Sequence, residues 1–195
     1  PNYIDSSIVN PMKSVSTEFF KNRKLQKNII KNHPAYQYGV LREEMQNYIL
    51  DKLEIMISQQ LIKGTLQNGM EYTVIATVLN LPKEIVRLIQ KFDFTKVNPK
   101  MIYINTTEEN ISLEDTIVTS FLNLIGFDIV FYIPTGYQTI EKYSNKSKVV
   151  EHQCGEYLYD LTVPDMKAPI KTTERQARKN LFFRRPFMNV IFAKT

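Results

Sequence analysis

The chain has 195 residues, 43% of them hydrophobic and 23% charged, with 11 tyrosines and 11 phenylalanines. That balance excludes a disordered or fibrous polypeptide and supplies enough apolar side chains for one ample core, or for a helical module beside a small sheet. The formal charge of +5 is uneven: from residue 167 onward Lys167, Lys171, Arg175, Arg178, Lys179, Arg184, Arg185 and Lys194 face Glu174 alone, and the rest is slightly acidic.

No stretch approaches the roughly 20 apolar residues that span a bilayer, and the opening PNYIDSSIVN lacks the basic-then-apolar order of a signal peptide. Cys154 is the only cysteine, which rules out an internal disulfide or a cysteine-based zinc site and fits a reducing compartment. The expectation is a cytoplasmic protein with no transmembrane segment. Position 1 is Pro rather than Met, and few strands are evident, so the chain reads as part of a longer protein.

In chain order, the basic cluster Lys21, Arg23, Lys24, Lys27 and Lys31 reads as an exposed helix ended by His33-Pro34. From Gly39 to Ile62, the apolar residues Leu41, Met45, Ile49, Leu53, Met56 and Leu61 recur as one face of an amphipathic helix requires. Gly64 and Asn68-Gly69 mark a turn, and residues 71–92 read as two helices broken at Asn80-Leu81-Pro82. Lys100 to Asn105 reads as a buried strand, Ser112 with Asp115 as the start of a helix through Leu124, and Gly126 as its stop. Asp128 to Ile133 reads as a second strand. Strand, helix and strand then predict a right-handed parallel crossover with both sheet faces covered. Thr139 to Tyr143 reads as the start of another helix, and Tyr157 to Val163 as a further strand or edge segment closed by Pro164.

The fold class is therefore α/β: a mainly helical region over 1–98, a small Rossmann-like parallel strand-helix-strand unit over 99–166 packed with it, and a basic carboxyl-terminal segment over 167–195. Open α/β sheets bind ligands outside the carboxyl ends of their strands. That rule selects Asn105 and Thr106 after the first strand, and Thr135, Gly136 and Tyr137 in the Pro134-Thr135-Gly136-Tyr137-Gln138 loop after the second. The bland alternative is a Thr cap and a Gly turn.

A second group, Glu151, His152, Gln153 and Glu156, combines side chains able to move protons, and is added to the ligand-binding set. Equally, these residues describe an ordinary polar loop. A single histidine with scattered acids is a thin metal signature, so no metal is assigned, and neither a cofactor nor a catalytic residue is indicated. A third pattern, Ile75-Ala76-x-x-Leu79-x-Leu81-Pro82-x-x-Ile85-Val86-Arg87, has the outline of a helix-turn-helix. Its second helix would offer Lys83, Arg87, Gln90 and Lys91 to nucleic acid, interrupted by Glu84.

Across Asp128-Ile129-Val130-Phe131-Tyr132-Ile133-Pro134-Thr135-Gly136-Tyr137-Gln138-Thr139-Ile140-Glu141-Lys142-Tyr143 and Glu151-His152-Gln153-Cys154-Gly155-Glu156-Tyr157, the sequence resembles a bacterial family. That family is described as a component of a biosynthetic module and is associated with tellurium-resistance and stress operons. The resemblance is clearest from Met101 to Pro164 and implies a carboxyl-terminal portion of a longer stress protein. It carries over no catalytic residue. The convergence of the two polar segments near strand ends predicts a small phosphorylated, nucleotide-like or sugar-like metabolite on the rim of Asn105, Thr135 to Tyr137 and Glu151 to Glu156, and the resemblance adds other stress-operon proteins as partners. The alternatives are nucleic acid, bound by the helix-turn-helix and the basic end, or a protein-docking role.

Overall fold

The computed structural model describes residues 10–91, 98–137, 140–162 and the backbone of 188–193. The basic residues between 167 and 185, together with Gln138, Thr139, Val163 and Pro164, lie outside the described residues.

The basic cluster does not form the single helix expected. Strands β1 (Phe20–Lys21) and β2 (Lys24–Leu25) form an antiparallel hairpin. Asn22 and Arg23 turn between them with φ of 53° and 58°. Left-handed backbone at both central positions matches the twist of a two-residue hairpin, and asparagine tolerates it well. Helix α1 (Lys27–Lys31) follows, and residues Gln37–Val40 make a 3-10 turn.

Helix α2 (Glu43–Ser58) is shorter than its apolar period implies. Glu43 and Glu44 sit in its first turn, where carboxylates suit the positive end of the helix dipole. At its end Gln60 takes a left-handed φ of 50°, and the Leu61 amide donates to the Met56 carbonyl at 3.2 Å. That is the six-to-one closure that usually recruits glycine. Helices α3 (Met70–Val78) and α4 (Lys83–Lys91) break at Asn80-Leu81-Pro82 as expected.

Strand β3 (Lys100–Ile104), helix α5 (Leu113–Leu124) and strand β4 (Asp128–Ile133) form the predicted unit, and β3 pairs with β4 in parallel, Met101 beside Ile129 and Tyr103 beside Phe131. Ser112 caps α5, its Oγ accepting from the Asp115 amide at 3.0 Å. Helix α5 is the centre of the molecule. Ile117, Val118, Phe121 and Leu122 are fully buried, with α2 and α3 on one side and β4 on the other. Burying each such side chain contributes about 1.5–3 kcal/mol.

The four-stranded sheet has the order β3-β4-β6-β5, where β5 is Val149–Cys154 and β6 is Met188–Ala193. Strand β6 runs antiparallel to both β4 and β5, so the sheet is mixed and β5 runs in the direction of β4. Three expectations change here. Glu151 to Cys154 form an edge strand rather than a loop, residues 155–162 contain no strand, and the segment read as a basic tail contains β6. Local pattern hides β5 because only Val149 and Val150 are apolar; its pairing partner arrives some 35 residues later in the chain.

Coverage of both sheet faces is also not what the described residues show. Ile129, Phe131 and Ile133 are buried beneath α5, whereas Ile102 is 60% and Ile104 42% exposed. An apolar run signals a strand without saying what lies against each face.

Candidate functional site

The carboxyl ends of β3, β4 and β5 share one rim. Asn105 leaves β3 with its amide still bonded to the Tyr132 carbonyl at 3.0 Å. Its side chain is engaged in folding the next loop: Nδ2 donates to the Glu109 carbonyl at 2.9 Å, and Oδ1 accepts from the Thr107 amide at 3.2 Å and hydroxyl at 3.0 Å. Thr106 is half-buried beside it. The same loop brings Asn110 to the rim.

After β4 the chain turns at once. The Gly136 amide donates to the Ile133 carbonyl at 3.1 Å, and the Tyr137 amide donates to Thr135 Oγ1 at 3.3 Å. Thr135 is buried and its hydroxyl is spent on this turn. Gly136 has a φ of +68°, which glycine adopts without penalty. The Tyr157 ring lies directly on it: a Cβ added at residue 136 would fall 1.9 Å from Tyr157 Cε1. The Leu158 amide donates to the Pro134 carbonyl at 2.9 Å, tying the stretch after β5 across to the β4 loop.

The two polar segments singled out from sequence therefore do meet, but through Gly136, Tyr157 and Leu158. Glu151, His152 and Gln153 lie exposed on β5, two strands from β4, with Gln153 level with Ile133 through Asn189. Glu156 is exposed next to Tyr157.

Beside this turn is an open groove of about 510 Å³, lined by Lys63, Asn110, Gly136, Tyr137, Glu141, Lys142 and Lys146. Of the residues expected at the site, Gly136 and Tyr137 line it. Glu151, His152, Gln153 and Glu156 do not.

Sequence reasoning missed all three lysines, because Lys63 reaches the groove from the far end of α2. Ile62 bridges to Ser144, the Lys63 amide donates to the Tyr143 carbonyl at 2.7 Å, and the Asn145 amide donates to Leu61 at 3.1 Å. The Asn145 side chain also bonds the Gln60 carbonyl. Lys63 Nζ then donates to the Glu141 carbonyl at 2.5 Å. Lys142 Nζ stands 5.2 Å from the centre of the Tyr143 ring. Three ammonium groups against the one buried carboxylate of Glu141 give the groove a positive field, and the space left by the missing side chain of Gly136 is taken by the Tyr157 ring. Among the described residues, no group of three or more His, Cys, Asp or Glu is placed to hold a metal ion.

On α4, Lys83, Arg87, Gln90 and Lys91 are all exposed, as is Glu84, while Ile85, Val86 and Ile89 are buried. The helix pair is present; its charged face is that of a solvated amphipathic helix.

The YceG domain description matches residues 2–181, nearly the whole chain. The chain belongs to the YceG domain family. It is 27% identical over 139 residues to the uncharacterized protein YceG of Bacillus subtilis (strain 168). That match covers 69% of this chain and 25% of the relative, so the chain spans about a quarter of the length of the YceG protein it resembles. No solved structure matches it significantly.

The YceG match corrects the family assignment made from residues 128–157. Neither the YceG domain description nor the name of the relative carries tellurium resistance, a stress operon or a biosynthetic module, so the chain is not a tellurium-resistance stress protein but a YceG-domain protein. Nothing in the YceG match supports the nucleic-acid or docking alternatives. No helix among the described residues is long and apolar enough to cross a membrane.

Proposed function

We propose that this YceG domain is a binding module for a small oxyanion-bearing ligand, seated in the groove beside the Gly136 turn. The observation that carries this reading is the convergence of Lys63, Lys142 and Lys146 on one groove at the carboxyl end of a parallel strand. The three come from two parts of the chain held together by the Ile62 to Ser144 bridge, so their grouping belongs to the tertiary structure rather than to a basic run. The β3-α5-β4 unit is used here as in a Rossmann-like sheet, with its ligand outside the strand ends. Asn110 supplies an amide for a polar group on the ligand.

The test is calorimetric titration of the 195-residue chain with inorganic pyrophosphate at low ionic strength. Saturable binding that weakens as salt rises, and by tenfold or more on Lys142→Glu or in a Lys63→Ala, Lys146→Ala double variant, is expected. Absence of binding, or binding indifferent to all three lysines, overturns the reading.

A further inference from the structure

The lysines account for a charge on the ligand and leave the aromatic side of the same rim unexplained. Tyr137, Tyr157 and Tyr159 are among the exposed large hydrophobic residues, with 43%, 48% and 61% of their surface in solvent. Tyr137 lines the lysine groove itself. Tyr157 lies on Gly136, which also lines it.

The position of Tyr157 is built rather than incidental. Its ring occupies the space a side chain at residue 136 would need, and its neighbour Leu158 is bonded to Pro134. A ring packed on glycine backbone by one side, with nearly half its surface still in solvent, is a ready stacking platform. Tyrosine offers such a surface at low entropic cost because only two torsions need fixing.

Resting on the anion-binding reading, we propose that the ligand joins its oxyanion to a flat, unsaturated ring, and that Tyr137 and Tyr157 hold the ring while the lysines hold the anion. Stacking of a planar ring on an exposed tyrosine discriminates by about tenfold or more against a ligand without one. Unlike a hydrogen-bonded pocket, this platform reads ring shape and tolerates different substituents.

The experiment compares phenyl phosphate with methyl phosphate, which present the same oxyanion with and without a ring. Both are titrated into the 195-residue chain while the tyrosine ring resonances are followed by NMR. The expected result is about tenfold tighter binding of phenyl phosphate, with upfield shifts of Tyr137 and Tyr157 ring signals produced only by that probe. In Tyr137→Leu and Tyr157→Leu chains, the preference for phenyl over methyl phosphate should fall towards one. Equal affinities in the unmodified chain overturn the ring proposal and leave the anion site standing. A preference that survives both substitutions overturns it as well. If neither probe nor pyrophosphate binds, the anion-binding reading itself fails. The ring shifts in the unmodified chain decide the matter even where a substituted chain does not fold.

Discussion

The ring of Tyr157 occupies the volume in which a side chain at residue 136 would stand, so that a Cβ there would meet Tyr157 Cε1 at 1.9 Å and Cδ1 at 2.3 Å. Gly136 is therefore required twice over, by its φ of +68° and by the ring above it.

Replacing Gly136 with alanine should destabilise the fold by about 1–3 kcal/mol, through left-handed strain and displacement of Tyr157 together. The two causes separate in a double variant. Adding Tyr157→Ala to Gly136→Ala should recover the part due to the ring and none of the part due to φ. Urea denaturation of Gly136→Ala, Tyr157→Ala and the double variant measures this, and hydrogen exchange at the Leu158 amide reports whether the strap to Pro134 has come loose. Full recovery in the double variant would leave no cost for φ.

Tyr36 and Tyr38 meet edge to face, ring centres 5.6 Å apart. Tyr38 is wholly buried, and its hydroxyl donates to the Val78 carbonyl and accepts from the Leu81 amide. Burial raises the pKa of both, Tyr36 to about 12 from an ordinary 10 and Tyr38 further. A phenol raised in the folded state holds its proton where the unfolded chain has lost it. Its stability contribution is thus complete below pH 10 and is lost as pH climbs through about 12. Because the Tyr36 hydroxyl is buried with no hydrogen-bond partner among the described residues, Tyr36→Phe should cost nothing at pH 7 or stabilise by up to about 1 kcal/mol. The same variant should show a shallower alkaline loss, read from thermal melts between pH 8 and 12.

Ser112→Ala removes the oxygen that accepts from the Asp115 amide at the start of α5. A loss of about 1 kcal/mol is expected, and Ser112→Asp should restore most of it. Since α5 lies between the α2/α3 pair and β4, the loss should appear as a shift in the global urea midpoint with unchanged slope. A change confined to fraying of the first turn, with the midpoint unmoved, contradicts the central place given to this helix.

Elements that depend only on near neighbours were legible in the residues. The break at Asn80-Leu81-Pro82, the Ser112 cap, and the apolar strands beginning at Lys100 and Asp128 each involve bonds or periods within a few positions, and all are present. The rim loop after β4 was legible for the same reason: proline, threonine and glycine in succession specify a turn by their own torsions and hydrogen bonds. Tertiary packing alone decided the rest. Strand β6 enters between β4 and β5, pairing Phe131 with Ile191, and turns a polar stretch such as Glu151 to Cys154 into a strand. Lys63 is brought to Glu141 and Lys142 by backbone bonds across some 80 residues. Tyr157 reaches Gly136 from two strands away. Such meetings are not encoded in any local period. They follow from which buried surfaces the whole chain can pair at once, and the groove lined by Lys63, Lys142 and Lys146 exists only after that choice has been made.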